Sequence, residues 1–152
     1  MRLAGVSGVR LAPAMVRLAV WRKAMPAAML DRMKVLIVDD HPSFRASARR
    51  MLEADGYEVV AEAATGAEGI RSAIELGPQL VLLDVHLPDI DGFDVAARLS
   101  AGEAAPAVVL TSSHDGSDLG RLVSRSGARG FIPKSELSGE ALRRMLDDET
   151  TA

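Results

Sequence analysis

From residue 34 onward, apolar runs alternate with amphipathic stretches along the chain. Residues 35–38, 80–83 and 107–110 are continuous aliphatic runs of strand length, the pattern of strands covered on both faces in a parallel sheet. Residues 57–63 and 130–132 are weaker runs of the same kind. Between them the apolar positions recur with helical spacing at residues 43–54, 67–76, 93–100, 119–126 and 140–147. Gly56, Gly77, Gly102 and Gly127 stand just past the first four of these, where a residue of positive φ often ends a helix.

Five strands in strict alternation with five helices predict an α/β fold. The expected form is a doubly wound five-stranded parallel sheet with helices on both faces, since a barrel needs eight such units. In the flavodoxin-like order 2-1-3-4-5 the fifth strand lies at an edge, where Pro133 is tolerable. That order places a ligand at the carboxyl ends of strands one and three.

The ends of the runs carry the chemistry. Asp39 and Asp40 follow the first run, Asp84 the third, Thr111 the fourth and Lys134 the fifth. Nothing in packing requires four strands of five to deliver polar side chains to one edge. Three carboxylates gathered there resist joint ionisation unless a cation neutralises them. An all-oxygen set with room for water and phosphate suits Mg²⁺ better than Ca²⁺. With a lysine ammonium and a hydroxyl beside it, such a site would surround a phosphoryl group with positive charge and a donor, and a carboxylate there can attack phosphorus.

The ordered set VLIVDDH, LLDVHLPDIDG, VVLTSS and GFIPK resembles the receiver domain of two-component response regulators over residues 34–148. The DDHPSFR and GFIPKSEL stretches are similar to receivers that usually precede a helix-turn-helix output domain. The resemblance implies a signalling switch in which Asp84 accepts a phosphoryl group from a histidine kinase or phosphotransfer protein. Asp40 would ligate Mg²⁺ directly and Asp39 through water, with Asp84 and the backbone carbonyl of His86 completing the set. Lys134 would pair with the phosphoryl oxygens, Thr111 would swing inward to bond them, and Phe131 would be the aromatic partner of the switch. His86 and Ser113 would tune dephosphorylation. Many receivers have a cis Lys-Pro bond where this chain has Lys134-Ser135.

The resemblance further implies an unidentified output partner and phosphorylation-dependent pairing of two copies through the fourth and fifth helices. It implies no metabolic enzyme activity beyond self-phosphorylation from small donors and slow autodephosphorylation. Two alternatives stand beside it. A haloacid-dehalogenase-like phosphatase expects an acid two residues after the nucleophile, where this chain has His86, and a cap domain for which there is no room. A pseudo-receiver, an interaction module without phosphorylation, usually lacks an acid or the lysine, all of which are present here. The histidines His41, His86 and His114 match no zinc-ligand spacing and read as solvated. Asp89, Asp91 and Gly92 read as the turn of the acceptor loop rather than a calcium loop, which would need a bidentate glutamate. Among the helical positions, Leu119, Leu122, Val123, Leu142, Met145 and Leu146 read as mostly core, while Arg121, Arg125, Arg143 and Arg144 either pair with acids or face water.

Charge divides the chain. Of its 18 basic and 21 acidic residues, residues 1–33 hold Arg2, Arg10, Arg17, Arg22, Lys23 and Arg32 against Asp31, net +5, which leaves the rest at −8. An acidic body argues against direct nucleic-acid binding. Residues 1–33 read as a separable basic extension, disordered or partly helical near residues 14–24. Its uncharged stretches reach seven residues, too short to insert in a membrane. Residues 149–152 read as a tail. The 152 residues hold one domain, and no cysteine is present, so thiolate metal sites, disulfides and thiol nucleophiles are excluded. A stand-alone cytoplasmic receiver is the expectation.

Overall fold

The computed structural model describes residues 32–151; residues 1–31 of the basic extension, with its expected short helix, lie outside the described residues. Five parallel strands, β1 (Lys34–Val38), β2 (Glu58–Ala63), β3 (Leu80–Asp84), β4 (Ala107–Ser112) and β5 (Gly130–Pro133), form one sheet in the order β2-β1-β3-β4-β5. Five helices connect and follow them: α1 (Pro42–Ala54), α2 (Gly66–Leu76), α3 (Gly92–Ser100), α4 (Gly120–Ser126) and α5 (Gly139–Thr151). A short 3₁₀ turn, Lys134–Glu136, joins β5 to α5. Pro133 ends the edge strand, where its missing N–H breaks no ladder.

Alternate residues of each central strand feed opposite cores. Val35, Ile37, Leu80, Leu82 and Val109 pack with Leu52 of α1 and with Leu142 and Leu146 of α5. Leu36, Val38, Val81, Leu83 and Leu110 pack with Ala73 of α2 and with Val95, Ala96 and Leu99 of α3. Burial on both sides is why these strands are aliphatic at every position rather than at every second one. Each fully covered leucine or isoleucine contributes about 2 kcal/mol of transfer free energy. Met33, at the edge of the expected extension, already belongs to the core, and its carbonyl accepts from Glu58 N–H at 2.9 Å. Leu122, read as core, is instead 45% exposed on α4.

The helix stops agree with the glycine reading at three of four places. Gly56, Gly77 and Gly127 have φ of 94°, 58° and 83°. Gly102 does not take a positive φ: α3 ends through Ala101 in the right-handed region. A left-handed glycine that the periodicity did not mark is Gly116, φ 75°, in the loop after β4. The strands also run further toward their carboxyl ends than the aliphatic runs do, because β3 includes Asp84 and β4 includes Thr111 and Ser112. The sheet ladder thereby holds the backbone of the chemically useful residues.

Candidate functional site

Asp84 and Thr111 are register partners at the ends of β3 and β4, and the Val85 N–H donates to the Thr111 carbonyl at 2.9 Å. Asp39 follows β1, which pairs with β3 on its other side. Its N–H donates to Ala63 O at 2.9 Å, so the first acid is pinned to β2 as well. Lys134 arrives from the end of edge strand β5. The topology therefore converges these side chains on one edge of the sheet from positions up to 95 residues apart.

The geometry is that of a charged pocket sealed from below. Asp39 is 0% and Asp84 2% exposed. Lys134 Nζ lies 2.6 Å from Asp39 Oδ2 and 3.3 Å from Asp84 Oδ2, bridging the two carboxylates. Asp84 Oδ1 accepts the His86 backbone N–H at 3.0 Å. Burial pushes the Asp84 carboxyl above the usual range. The bond from His86 N–H opposes this, the nearby Asp39 charge adds to it, and Lys134 pulls it back. Asp40 sits at the pocket mouth, its side chain 36% exposed.

Two further observations concern what the pocket can hold. Asp39 Oδ2 and Asp40 Oδ1 are shielded from solvent and meet only the Lys134 ammonium and the His41 ring respectively, and the buried hydroxyl of Thr111 has no hydrogen-bond partner. One ligand atom from each of Asp39, Asp40, His41 and Asp84 falls within 4.8 Å of all the others. Three carboxylates gathered with a single lysine ammonium leave net negative charge that a hard cation neutralises, so these residues fit Mg²⁺. The Lys134–Ser135 peptide is trans, since no cis bond occurs among the described residues.

Other expected site residues lie near the pocket without joining its charge cluster. Ser113 is exposed just past β4. The His86 ring is exposed and meets the His114 ring edge-on, with centroids 6.1 Å apart. Phe131, half-buried on β5 beside Leu110, packs against the core shared with α2 and α3 and rests on the backbone of Gly116.

Several residues that support the pocket were given no part in it by the sequence reading. His41, read as solvated, is 60% exposed, but its Nδ1 lies 3.0 Å from Asp39 Oδ1 and 3.1 Å from Asp40 Oδ1. Phe44 lies under the Lys134 ammonium, 4.4 Å from ring centroid to Nζ. Arg45 donates to the Asp39 carbonyl at 2.7 Å and to Glu62 at 3.0 Å. All three come from the first turn of α1 or its cap, so their adjacency to the Asp39-Asp40 pair was the available signal. The acceptor loop is built tightly too. Asp91 caps α3 by accepting from Phe93 N–H at 2.7 Å, and Asp89 accepts from Gly66 and Ala67 N–H at 2.8 and 3.0 Å, capping α2 from across the loop. Those two bonds hold the Asp89 carboxyl below its ordinary range.

Residues 35–147 match the family model described as the response regulator receiver domain. The chain is 40% identical over 117 residues to the positive alginate biosynthesis regulatory protein of Pseudomonas aeruginosa, covering 74% of this chain and 46% of that protein. It is 36% identical over 108 residues to the nitrate/nitrite response regulator protein homolog of Haemophilus influenzae, covering 70% and 51%. It thus spans about half the length of the curated relatives it matches. Among solved structures, the LuxR-family two-component response regulator from Aurantimonas sp. SI85-9A1 superposes with a TM-score of 0.69 at 30% identity, covering 79% of this chain and 86% of that one.

Proposed function

Since this chain belongs to the response regulator receiver domain family, we propose that it is a phosphorylation-controlled signalling switch whose phosphoacceptor is Asp84. The observation that carries this reading is the Lys134 ammonium held 2.6 Å from Asp39 and 3.3 Å from Asp84, beside a buried Thr111 hydroxyl that lacks a partner.

In the proposed step an Asp84 carboxylate oxygen attacks phosphorus in the phosphoimidazole of a histidine kinase or phosphotransfer protein. The new O–P bond forms as the N–P bond breaks, and the imidazole leaves with its electron pair and takes up a proton. Lys134 meets the negative charge on the phosphoryl oxygens, and Thr111 donates its hydroxyl proton to one of them. Asp39, Asp40, Asp84 and the backbone carbonyl of His86 would hold Mg²⁺. When bound, that ion supplies the charge neutralisation that lets an anionic phosphoryl group approach three carboxylates. His41 and Arg45 keep the Asp39 segment fixed during the step, Arg45 through the Asp39 carbonyl.

The output rests on Phe131. Its ring contacts Gly116 on one side and lines a groove of about 490 Å³ between β5 and α5, bordered by Arg129, Glu136, Arg144 and Met145. Inward movement of Thr111 would let Phe131 shift and reshape this face, which pairs with a second copy or an output partner. His86 and Ser113 flank the phosphoryl position and set how long the acyl phosphate lasts. No helix among the described residues is long and apolar enough to cross a membrane, and we place the protein in the cytoplasm with its kinase. Residues 34–148 form the switch together with Met33, which packs in its core, and the last turn of α5 to Thr151, while residues 1–32 are a separable extension.

Intact mass after incubation with Mg²⁺ and acetyl phosphate tests the proposal. One phosphate-sized gain is expected in the wild type and none in Asp84→Asn. No gain in the wild type, or an undiminished gain in the variant, would sink it. Turnover of general phosphate monoesters would favour the phosphatase alternative instead.

A further inference from the structure

Among the described residues three large apolar side chains are exposed, and two of them, Ile74 at 78% and Leu76 at 47%, stand on the last turn of α2. Ile74 stacks over half-buried Ile70 and exposed Ala67 at the i−4 and i−7 positions, so one flank of the helix presents an apolar strip to solvent. The same helix carries exposed Glu68 and Glu75 against Arg71, a net charge of −1.

The strip lies beside the point where the N-terminal extension joins the body. Gln79, two residues past the Gly77 cap of α2, donates its N–H to the Lys34 carbonyl at 2.9 Å, and its side-chain oxygen accepts from Lys34 N–H at 3.0 Å. The extension holds the chain's single tryptophan, Trp21. Leu18 and Ala14 precede it at the i−3 and i−7 spacing of one helix face, and Arg17, Arg22 and Lys23 stand around it. The chain from Trp21 to Met33 reaches up to about 40 Å, whereas the 11-residue α2 is about 16 Å long, so the whole strip is within range. Opposite net charges, +5 on the extension and −8 on the body, draw the two together.

We propose that the segment around Trp21 docks on the Ile70 and Ile74 flank of α2 in its own chain, which makes this helix an interaction face separate from the groove beside α5. Trp21 brings a large, rigid apolar surface to cover Ile74, and the flanking basic residues meet the Glu68 and Glu75 carboxylates. Tethering holds the segment at an effective concentration of about millimolar, whatever the protein concentration. The contact covers the outside of α2 and enters neither core, so the body folds without it.

The test reads Trp21 fluorescence in the full-length protein, where no other tryptophan contributes. Wild-type emission is expected at shorter wavelength, and with weaker acrylamide quenching, than that of a synthetic peptide of residues 10–32. Ile74→Asp is expected to return both to the peptide values, because it puts a carboxylate under the indole. Leu122→Asp, at the exposed apolar site on α4, is expected to leave both unchanged, and circular dichroism melts check that each variant is folded. Wild-type emission equal to that of the peptide, no change in Ile74→Asp, or an equal change in Leu122→Asp would overturn the proposal. A blue shift that grows with protein concentration, alongside dimers in size-exclusion chromatography, would also overturn it and assign the strip to a second copy.

Discussion

Lys134 Nζ stands 2.6 Å from Asp39 Oδ2, with 13% of the lysine side chain and 1% of the aspartate exposed. An ion pair this buried is worth little against an apolar replacement, but removing one partner leaves the other uncompensated. Lys134→Ala strands Asp39 and Asp84 together with no cation between them. It should cost about 3 kcal/mol of unfolding free energy without added metal. Millimolar Mg²⁺ should recover a large part of that loss, because an ion that binds the folded state alone stabilises it by mass action. Urea titrations of both proteins with Mg²⁺ and with chelator check this. A variant whose deficit ignores Mg²⁺ would show that lysine and metal do not share the same carboxylates.

The raised Asp84 carboxyl makes a pH prediction of definite sign. Its main cause is burial, which penalises the charged form in the folded state. A carboxyl whose folded pKa exceeds its unfolded one favours folding below the unfolded value and loses that contribution as pH rises through the folded value. Asp84→Asn removes the penalty. Its melting temperature should therefore exceed that of wild type at neutral pH in chelator, and the gap should shrink as pH falls toward the ordinary aspartate range. A gap that widens on acidification would mean that Lys134 outweighs burial.

The scaffold was legible because its causes are local and repetitive. Strands covered on both sides must be aliphatic throughout, so residues 35–38, 80–83 and 107–110 announced themselves, and polar residues at their ends marked the site edge. The positions of Asp39, Asp84, Thr111 and Lys134 followed from alternation plus strand order. The supporting contacts were less legible. His41, Phe44 and Arg45 have ordinary identities for the start of a helix, and their contacts with acids and lysine exist only once α1 is folded onto β1 and Lys134 has arrived from β5. Asp89 looked like a turn residue and is one, but its carboxylate also caps α2, a contact 22 and 23 residues away that no short-range pattern encodes.

Gly92 lies directly beneath the acceptor. A Cβ there would collide with the Asp84 carbonyl and the Val85 backbone, which cannot rotate aside, and Gly92 N–H already donates to Val85 O at 3.0 Å. Gly92→Ala should cost about 3 kcal/mol, at the upper end for overpacking. It should also slow phosphate uptake by displacing Asp84. Thermal melts and timed intact-mass measurements check both. Gly77→Ala is the control: its φ of 58° carries strain, but no atom stands within 4 Å of the added methyl, so it should spare phosphate uptake.

A chain beginning at Met33 should fold and accept phosphate as the full-length protein does. Met33 is 6% exposed, and its carbonyl bonds Glu58 N–H, so the cut must fall before it. Deleting residues 1–32 is expected to shift the melting temperature by no more than about 2 °C, the scale of a few tenths of a kcal/mol in a domain of this size. Loss of soluble folded protein would show that the basic segment is part of the fold.

Gly116 and Phe131 couple the loop after β4 to the switch face. Gly116 has φ 75°, and a Cβ at that position would enter the Phe131 ring. Two costs then add in Gly116→Ala, about 1 kcal/mol for a left-handed alanine and about 1 kcal/mol for moving the ring. Removing the ring separates them. In a double-mutant cycle with Phe131→Ala, the cost of Gly116→Ala should fall to the backbone part alone, leaving a coupling of about 1 kcal/mol. The Phe131 ring resonances should shift in Gly116→Ala, while intact mass still registers phosphate, because neither residue contributes a polar group to the acid cluster. Additive costs in the cycle would mean that the loop and the ring move independently, and Phe131 would then have no route through Gly116 to the groove beside α5.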